Sequence, residues 1–200
     1  MLKNNGKISL YNILSILPKD INFFLRIKYF KKQLLKSNLK SEEVEFFYLN
    51  HFLKKGDYCV DVGANIGRYT FKMSEIVGQK GHVFAFEPVI ESFSILSYLR
   101  SLNKYRNISL FNIALGRRTE MIGVKKKECL PKNQPHPFLF DTLTNSKIVK
   151  KSKNKNTYLT DLDSFRFPKK ISLIKIDVEG FEDNVLNGMK KTILKYKPLI

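Results

Sequence analysis

Four carboxylates, Asp61, Glu87, Asp177 and Glu179, stand where the ends of successive β-strands are expected, and one glycine-bearing loop accompanies them. Asp61 precedes the run Gly63-Ala64-Asn65-Ile66-Gly67. In that run Gly63 allows a tight turn from strand to helix, and Gly67 lets the backbone approach a neighbour closely. Glu87 lies 24 residues beyond Gly63, the reach at which a carboxylate holds the hydroxyls of a ribose. A pyrophosphate fits this loop poorly, because the phosphate-binding fingerprint GxGxxG needs glycine where this chain has Asn65, and Asp61 would repel the anion.

An acidic strand edge prefers a cation, and S-adenosylmethionine combines a ribose with an ammonium and a sulfonium. The sulfonium charge vanishes after methyl transfer, so carboxylates there favour the cofactor over its product. Simpler accounts of the same residues are helix capping, above all for Glu179, and pairing with lysine. Lys175 belongs to this question. It alternates with Ile174 and Ile176 on a strand expected to be buried on both faces, where a charge needs a partner. Pairing with Asp177 or Asp61 is the structural reading, and orientation of an acceptor or of the carboxylates is the functional one.

The elements that must position these groups read as an α/β protein. Strands are predicted at Tyr58 to Val62, His82 to Phe86, Ile108 to Phe111 and Ile171 to Ile176, with a further short strand at Thr157 to Leu162. Between the first three run helical stripes, Ile66, Tyr69, Met73 and Ile76, then Val89, Phe93, Leu96, Leu99 and Leu102. This alternation implies a mostly parallel, doubly wound sheet with right-handed crossovers and ligands at the C-terminal strand ends. A single helix is expected from about Glu179 to Lys195, burying Phe181, Val185, Met189 and Ile193, with Gly188 marking close packing. Lys197 to Ile200 reads as the opening of a fifth strand, so the sheet is expected to be truncated there.

Residues 1–55 read as a helical cap ahead of a domain at 56–200. Phe23, Ile27, Phe30 and Leu34 form one stripe, and a helix N-capped by Ser41 is expected to bury Val44, Phe47, Tyr48 and Phe52. Residues 125–156 break the rhythm with Pro131, Pro135, Pro137 and a lysine-rich tract, the pattern of a long, mobile, basic loop that would serve as a substrate lid or a solvated insertion.

The 200 residues carry a net charge of +18, yet 43% of them are hydrophobic, which excludes a disordered chain. The charge is uneven: +7 over 1–56, +2 over 57–124, +8 over 125–170 and +1 over 171–200. The segments with the candidate chemistry are therefore nearly balanced. Cys59 and Cys129 lie in no CxxC and have no paired histidine, so neither a disulfide framework nor a metal site is expected. No apolar run approaches the ~20 residues of a membrane span. The chain reads as soluble and cytoplasmic, with peripheral membrane contact open to its basic N-terminal helices and no sequence indication of oligomeric state.

Five motifs in order resemble those of the FkbM-type S-adenosylmethionine-dependent methyltransferases: Asp61-Val62-Gly63-Ala64-Asn65-Ile66-Gly67-Arg68-Tyr69-Thr70, Phe84-Ala85-Phe86-Glu87-Pro88, Asn112-Ile113-Ala114-Leu115-Gly116, Thr160-Asp161-Leu162-Asp163 and Ile174-Lys175-Ile176-Asp177-Val178-Glu179-Gly180-Phe181-Glu182. The resemblance spans about 56–200. It implies a Rossmann-like class I methyltransferase fold and O-methylation of a hydroxyl on a saccharide, polyketide or related metabolite. It also implies that Asp61, Gly63, Ala64, Asn65 and Gly67 follow the methionine part of the cofactor, that Glu87 holds the ribose, and that Asn112 lies near the adenine. Asp177 and Glu179 would face the transferring methyl and the acceptor. The acidic residue the family implies on the strand starting at Pro198 lies beyond the last residue.

On this reading Glu179 or Asp177 takes the proton of a weakly nucleophilic hydroxyl while Lys175 fixes the geometry. His51, His82 and His136 sit on expected elements away from the ligand edge or in the proline-rich loop. Two other classes compete. A nucleic-acid methyltransferase would use the basic tracts, but Asp177-Val178-Glu179-Gly180 stands where an Asn/Asp-Pro-Pro-aromatic element is expected, which disfavours nucleic acid. A non-catalytic binding protein on a truncated fold is the other.

Overall fold

The computed structural model describes residues 17–36, 43–102, 105–126, 146–149 and 156–200. Helices α1 (Lys19–Leu35) and α2 (Val44–Phe52) lead into β1 (Tyr58–Val62), α3 (Arg68–Val77), β2 (His82–Phe86), α4 (Ile90–Arg100) and β3 (Ile108–Phe111). Then follow β4 (Ala114–Leu115), β5 (Glu120–Lys126), β6 (Ser146–Val149), β7 (Thr157–Thr160), a 3-10 turn (Leu162–Ser164), β8 (Ile171–Ile176), α5 (Glu182–Asn187) and α6 (Lys190–Tyr196).

The main sheet has the order β3-β2-β1-β8, every pair parallel. Within its largely apolar strands Asp61 and Lys175 lie side by side in the β1–β8 register. The expected opening of a further strand is met by Leu199, whose N–H donates to the Ser172 carbonyl (3.0 Å) and whose carbonyl accepts from the Ile174 N–H (2.8 Å). One face of the sheet is covered by α1 to α4 and the other by α5, α6 and the aromatic rings of Phe165 and Phe167. This is the Rossmann-like arrangement expected of the strand and helix order.

The structure departs from the sequence expectations in three places. A second sheet, β4-β7-β5-β6, was not expected; it is mixed, with β5 antiparallel to both neighbours. Lys125, Lys126 and 146–149 therefore belong to a hairpin and not to a loop, while 127–145 and 150–155 lie outside the described residues. Ile122, fully buried, anchors β5.

The second correction is the buried face of α2. Val44, Phe47, Tyr48 and Phe52 are 65%, 57%, 51% and 50% exposed, whereas Phe46, Leu49 and Leu53 enter the core. Both sides of this helix are apolar, so periodicity alone chose the wrong one, and the edge-on contact of Phe46 with Tyr69 at 5.3 Å shows the side that packs. The Ser41 cap lies outside the described residues. The α1 stripe runs as read, with Phe30 and Leu34 buried and Phe23 and Ile27 packed against the same cluster.

Third, the expected helix from Glu179 to Lys195 is two helices. Glu179 (φ 45°) and Gly180 (φ 85°) are left-handed, which delays α5 to Glu182. The chain then breaks at Gly188, where a Cβ would stand 1.8 Å from the Gly116 carbonyl oxygen. Asp163 starts α6 afresh, its carboxylate accepting from the backbone N–H groups of Lys191 (2.9 Å) and Thr192 (2.7 Å). Gly188→Ala should destabilise the protein by about 1–3 kcal/mol, the cost of forcing a methyl into a filled space. A lowered urea midpoint at unchanged slope is the expected result.

Candidate active site

The C-terminal ends of the parallel strands are tied into one edge by backbone hydrogen bonds. The N–H groups of Gly63 and Ala64 both donate to the Phe86 carbonyl (3.0 Å each), that of Asp177 donates to Val62 (3.0 Å), and that of Glu87 donates to Phe111 (3.0 Å). Gly63, at φ 77°, is indispensable here: a Cβ would lie 1.9 Å from the Asp177 carbonyl oxygen. The β1 and β8 ends therefore approach more closely than any side chain at residue 63 would permit.

Above this edge lies an open cleft. Asn65, Glu87, Asp177 and Glu179 are its polar lining, and Ile113, Leu115 and Val124 are among its apolar lining. Glu87 is buried, with one carboxylate oxygen accepting from the Asn65 N–H (2.7 Å) and the other from the Val89 N–H (2.8 Å). Burial pushes its carboxyl up to about 7 despite those two donors. Asn65 holds a left-handed backbone (φ 51°), and its side-chain Oδ1 is buried with no hydrogen-bond partner among the described residues.

Behind this lining sits Asp61, fully buried. Thr70 donates its hydroxyl to Oδ2 at 2.6 Å, and Lys175 Nζ stands 3.8 Å from Oδ1. Burial raises the Asp61 carboxyl above the usual carboxylate range, while Lys175 and the Thr70 hydroxyl oppose the rise. The same ammonium donates to Asp177 Oδ2 at 3.1 Å and lies over the Tyr69 ring, 4.6 Å from its centroid. Tyr69 in turn donates its hydroxyl to Glu43, just ahead of α2. Lys175 thus pairs with both of the carboxylates named for it and joins the buried one to the cleft.

Of the residues singled out in the sequence, Gly63, Asn65, Glu87, Asp177 and Glu179 line the cleft. Asp61 and Lys175 form the layer beneath it. Ala64 is buried, and Gly67 is packed so that a Cβ would meet Leu96 at 2.5 Å and Phe71 at 2.6 Å. Asn112 donates its side-chain amide to the Glu87 carbonyl (2.8 Å), bracing the strand end. Thr70 and Tyr69 went unassigned although they stand in the first motif; a hydroxyl on the buried side of α3 was the available signal. Val124 carried none, since it reaches the cleft only through the unexpected hairpin.

The family model described as "Methyltransferase FkbM domain" matches residues 61–200, and the chain belongs to this family of methyltransferases. The chain is similar to "Methyltransferase 1" of Beauveria bassiana (strain ARSEF 2860), 25% identical over 172 residues covering 74% of this chain and 68% of that protein. Among solved structures it is similar to methyltransferase FkbM from Methylobacillus flagellatus KT, with 17% identity, a TM-score of 0.49, and coverage of 94% of this chain and 45% of that one. Aeropyrum pernix fibrillarin, solved with natively bound S-adenosyl-L-methionine, shares 24% identity over 30% of this chain and 26% of its own, at a TM-score of 0.29. The chain spans less than half the length of either solved protein.

The raised Glu87 carboxyl has a measurable consequence for the ligand-free protein. Its contribution to stability is complete below its ordinary value of 4.5 and is lost as pH rises through about 7, because the folded state holds the proton more tightly. From pH 5 to pH 8 the native protein should therefore lose roughly 3 kcal/mol relative to Glu87→Gln. Urea unfolding of both proteins across that range tests this, and parallel stability curves would contradict it.

Proposed function

We propose that this protein is an S-adenosylmethionine-dependent methyltransferase that methylates a hydroxyl oxygen of a saccharide, polyketide or related metabolite. The observation that carries the cofactor assignment is the pairing, in one cleft, of the doubly anchored Glu87 carboxylate with the unpartnered buried Oδ1 of Asn65. Each Glu87 oxygen keeps a free lone pair for one hydroxyl of a ribose diol. Asn65 Oδ1 is an acceptor suited to an ammonium, and an unsatisfied buried acceptor is costly until such a donor arrives. This set of acceptors therefore fits the cofactor.

The bound cofactor supplies an electrophilic methyl group on a positively charged sulfur. The chain supplies the rest. Glu87 and Asn65 bind and orient, and Ile113, Leu115 and Val124 keep water from one side of the cleft. The carboxylate of Glu179 or Asp177 accepts the proton that the acceptor hydroxyl loses as its oxygen bonds to the methyl carbon. Lys175 holds Asp177 in place through the 3.1 Å hydrogen bond. The hydroxyl acceptor rests on family resemblance and on the presence of carboxylates in the wall, a base suited to an alcohol.

Calorimetry with S-adenosylmethionine and S-adenosylhomocysteine, followed by labelled-methyl transfer to saccharide and polyketide acceptors, tests this assignment. Glu87→Gln should weaken cofactor binding about tenfold or more, since hydrogen bonds to a charged acceptor are lost. Glu179→Gln should leave binding within about twofold and lower turnover by about 100-fold. A native protein that binds neither compound would refute the cofactor assignment, and undiminished turnover in Glu179→Gln would remove that residue as the base.

A further inference from the structure

Helix α2 is apolar on two sides, and only one of them is used by the core. Phe46, Leu49 and Leu53 are buried against the domain. Val44, Phe47, Tyr48, His51 and Phe52 recur at helical spacing on the opposite side, and all five are exposed. The apolar members are 65%, 57%, 51% and 50% accessible. Helix α1, packed into the same layer, exposes Ile21, Phe24 and Leu35 as well. A helix that is apolar on two sides is normally covered on both, so this face calls for a partner.

Charge says which. Residues 19–36 and 43–55 hold eight lysines and arginines against three acidic groups, and Lys28, Lys32, Lys36, Lys54 and Lys55 are exposed. Lys28 lies over the exposed Phe24 ring at 4.6 Å, an ammonium resting on an apolar side chain. A second copy of this chain would bring another +18 against the first, which opposes self-association through this face. An anionic lipid surface offers the opposite sign to the lysines and an apolar layer to the stripe. Phe and Tyr also suit the level of the headgroups, where one end is apolar and the other wet. A nucleic acid could stack on the rings but would leave Val44, Ile21 and Leu35 uncovered.

We propose that the outer faces of α1 and α2 dock this protein on anionic membranes, with Val44, Phe47, Tyr48 and Phe52 inserted and the neighbouring lysines at the headgroups. No helix among the described residues is long and apolar enough to cross a membrane, so the contact is peripheral. The docking is independent of the assigned chemistry. The test is co-sedimentation of the full chain with mixed phosphatidylcholine–phosphatidylglycerol vesicles and with phosphatidylcholine alone. Binding is expected only to the mixed vesicles and should weaken as salt rises. The double variant Phe47→Ser/Phe52→Ser should lower the partition coefficient about tenfold or more, and Lys54→Gln/Lys55→Gln should lower it about tenfold. All four side chains are exposed, so both variants should keep the native circular dichroism spectrum. Equal binding to neutral vesicles, no binding to either, or binding unaffected by both variants overturns the proposal. So does a dimer in light scattering that Phe47→Ser/Phe52→Ser dissociates, or single-stranded RNA binding that the same variant abolishes.

Discussion

Burial of one carboxylate governs the architecture of the ligand edge. Asp61 lies in the central strand with no exposed surface, in a position that ordinarily takes valine or isoleucine. An isolated charge there would be prohibitive. It is tolerated because Thr70 supplies a hydrogen bond from the following helix and Lys175 supplies a counter-charge from the neighbouring strand. The β1–β8 register places Asp61 and Lys175 opposite one another, so a slip of one residue would move the ammonium to the other face of the sheet. The pair therefore specifies the alignment of the two strands whose ends form the cleft.

That alignment propagates outward through single atoms. Lys175 reaches Asp177 as well as Asp61, so the carboxylate that faces the cleft shares its counter-ion with the one beneath. The Tyr69 ring lies against the ammonium and is fixed by Glu43 at its hydroxyl and by Phe46 at its edge. Both of the latter residues belong to the N-terminal helical segment. The cap is consequently more than a cover over apolar surface, since the residues that seat it also seat the lysine under the cleft. Glycine completes the arrangement at Gly63, where only the absence of a side chain lets β1 meet the Asp177 carbonyl.

What could be read in the amino-acid sequence follows from which signals are local. β1, β2, β3 and β8 appear at the expected residues because each is a short run of β-branched and aromatic residues bounded by turn formers. The acids at or near their ends were legible because a carboxylate interrupts or closes an otherwise apolar run. The face of α2 was not legible, because Phe46 and Phe47 are alike and only Tyr69, distant in sequence, decides between them. The break at Gly188 is equally non-local, being set by the approach of Gly116. Strand β5 escaped because its partners lie across the basic insertion and its own sequence, Glu-Met-Ile-Gly-Val-Lys-Lys, is a weak strand signal. With it went Val124 and part of the apolar wall.

The net charge of +18 is unevenly distributed, and the candidate site runs against it. The cleft gathers Glu87, Asp177 and Glu179 over a buried Asp61, with Lys175 as the nearest cation to two of them. In sequence, the lysines that dominate the total fall elsewhere, in helix α1, at Lys54 and Lys55 after α2, and between β5 and β7. Such a division is self-consistent electrostatically. A basic body lowers the cost of ionising clustered carboxylates. Surface charge and site charge are therefore opposite in sign because they meet different partners.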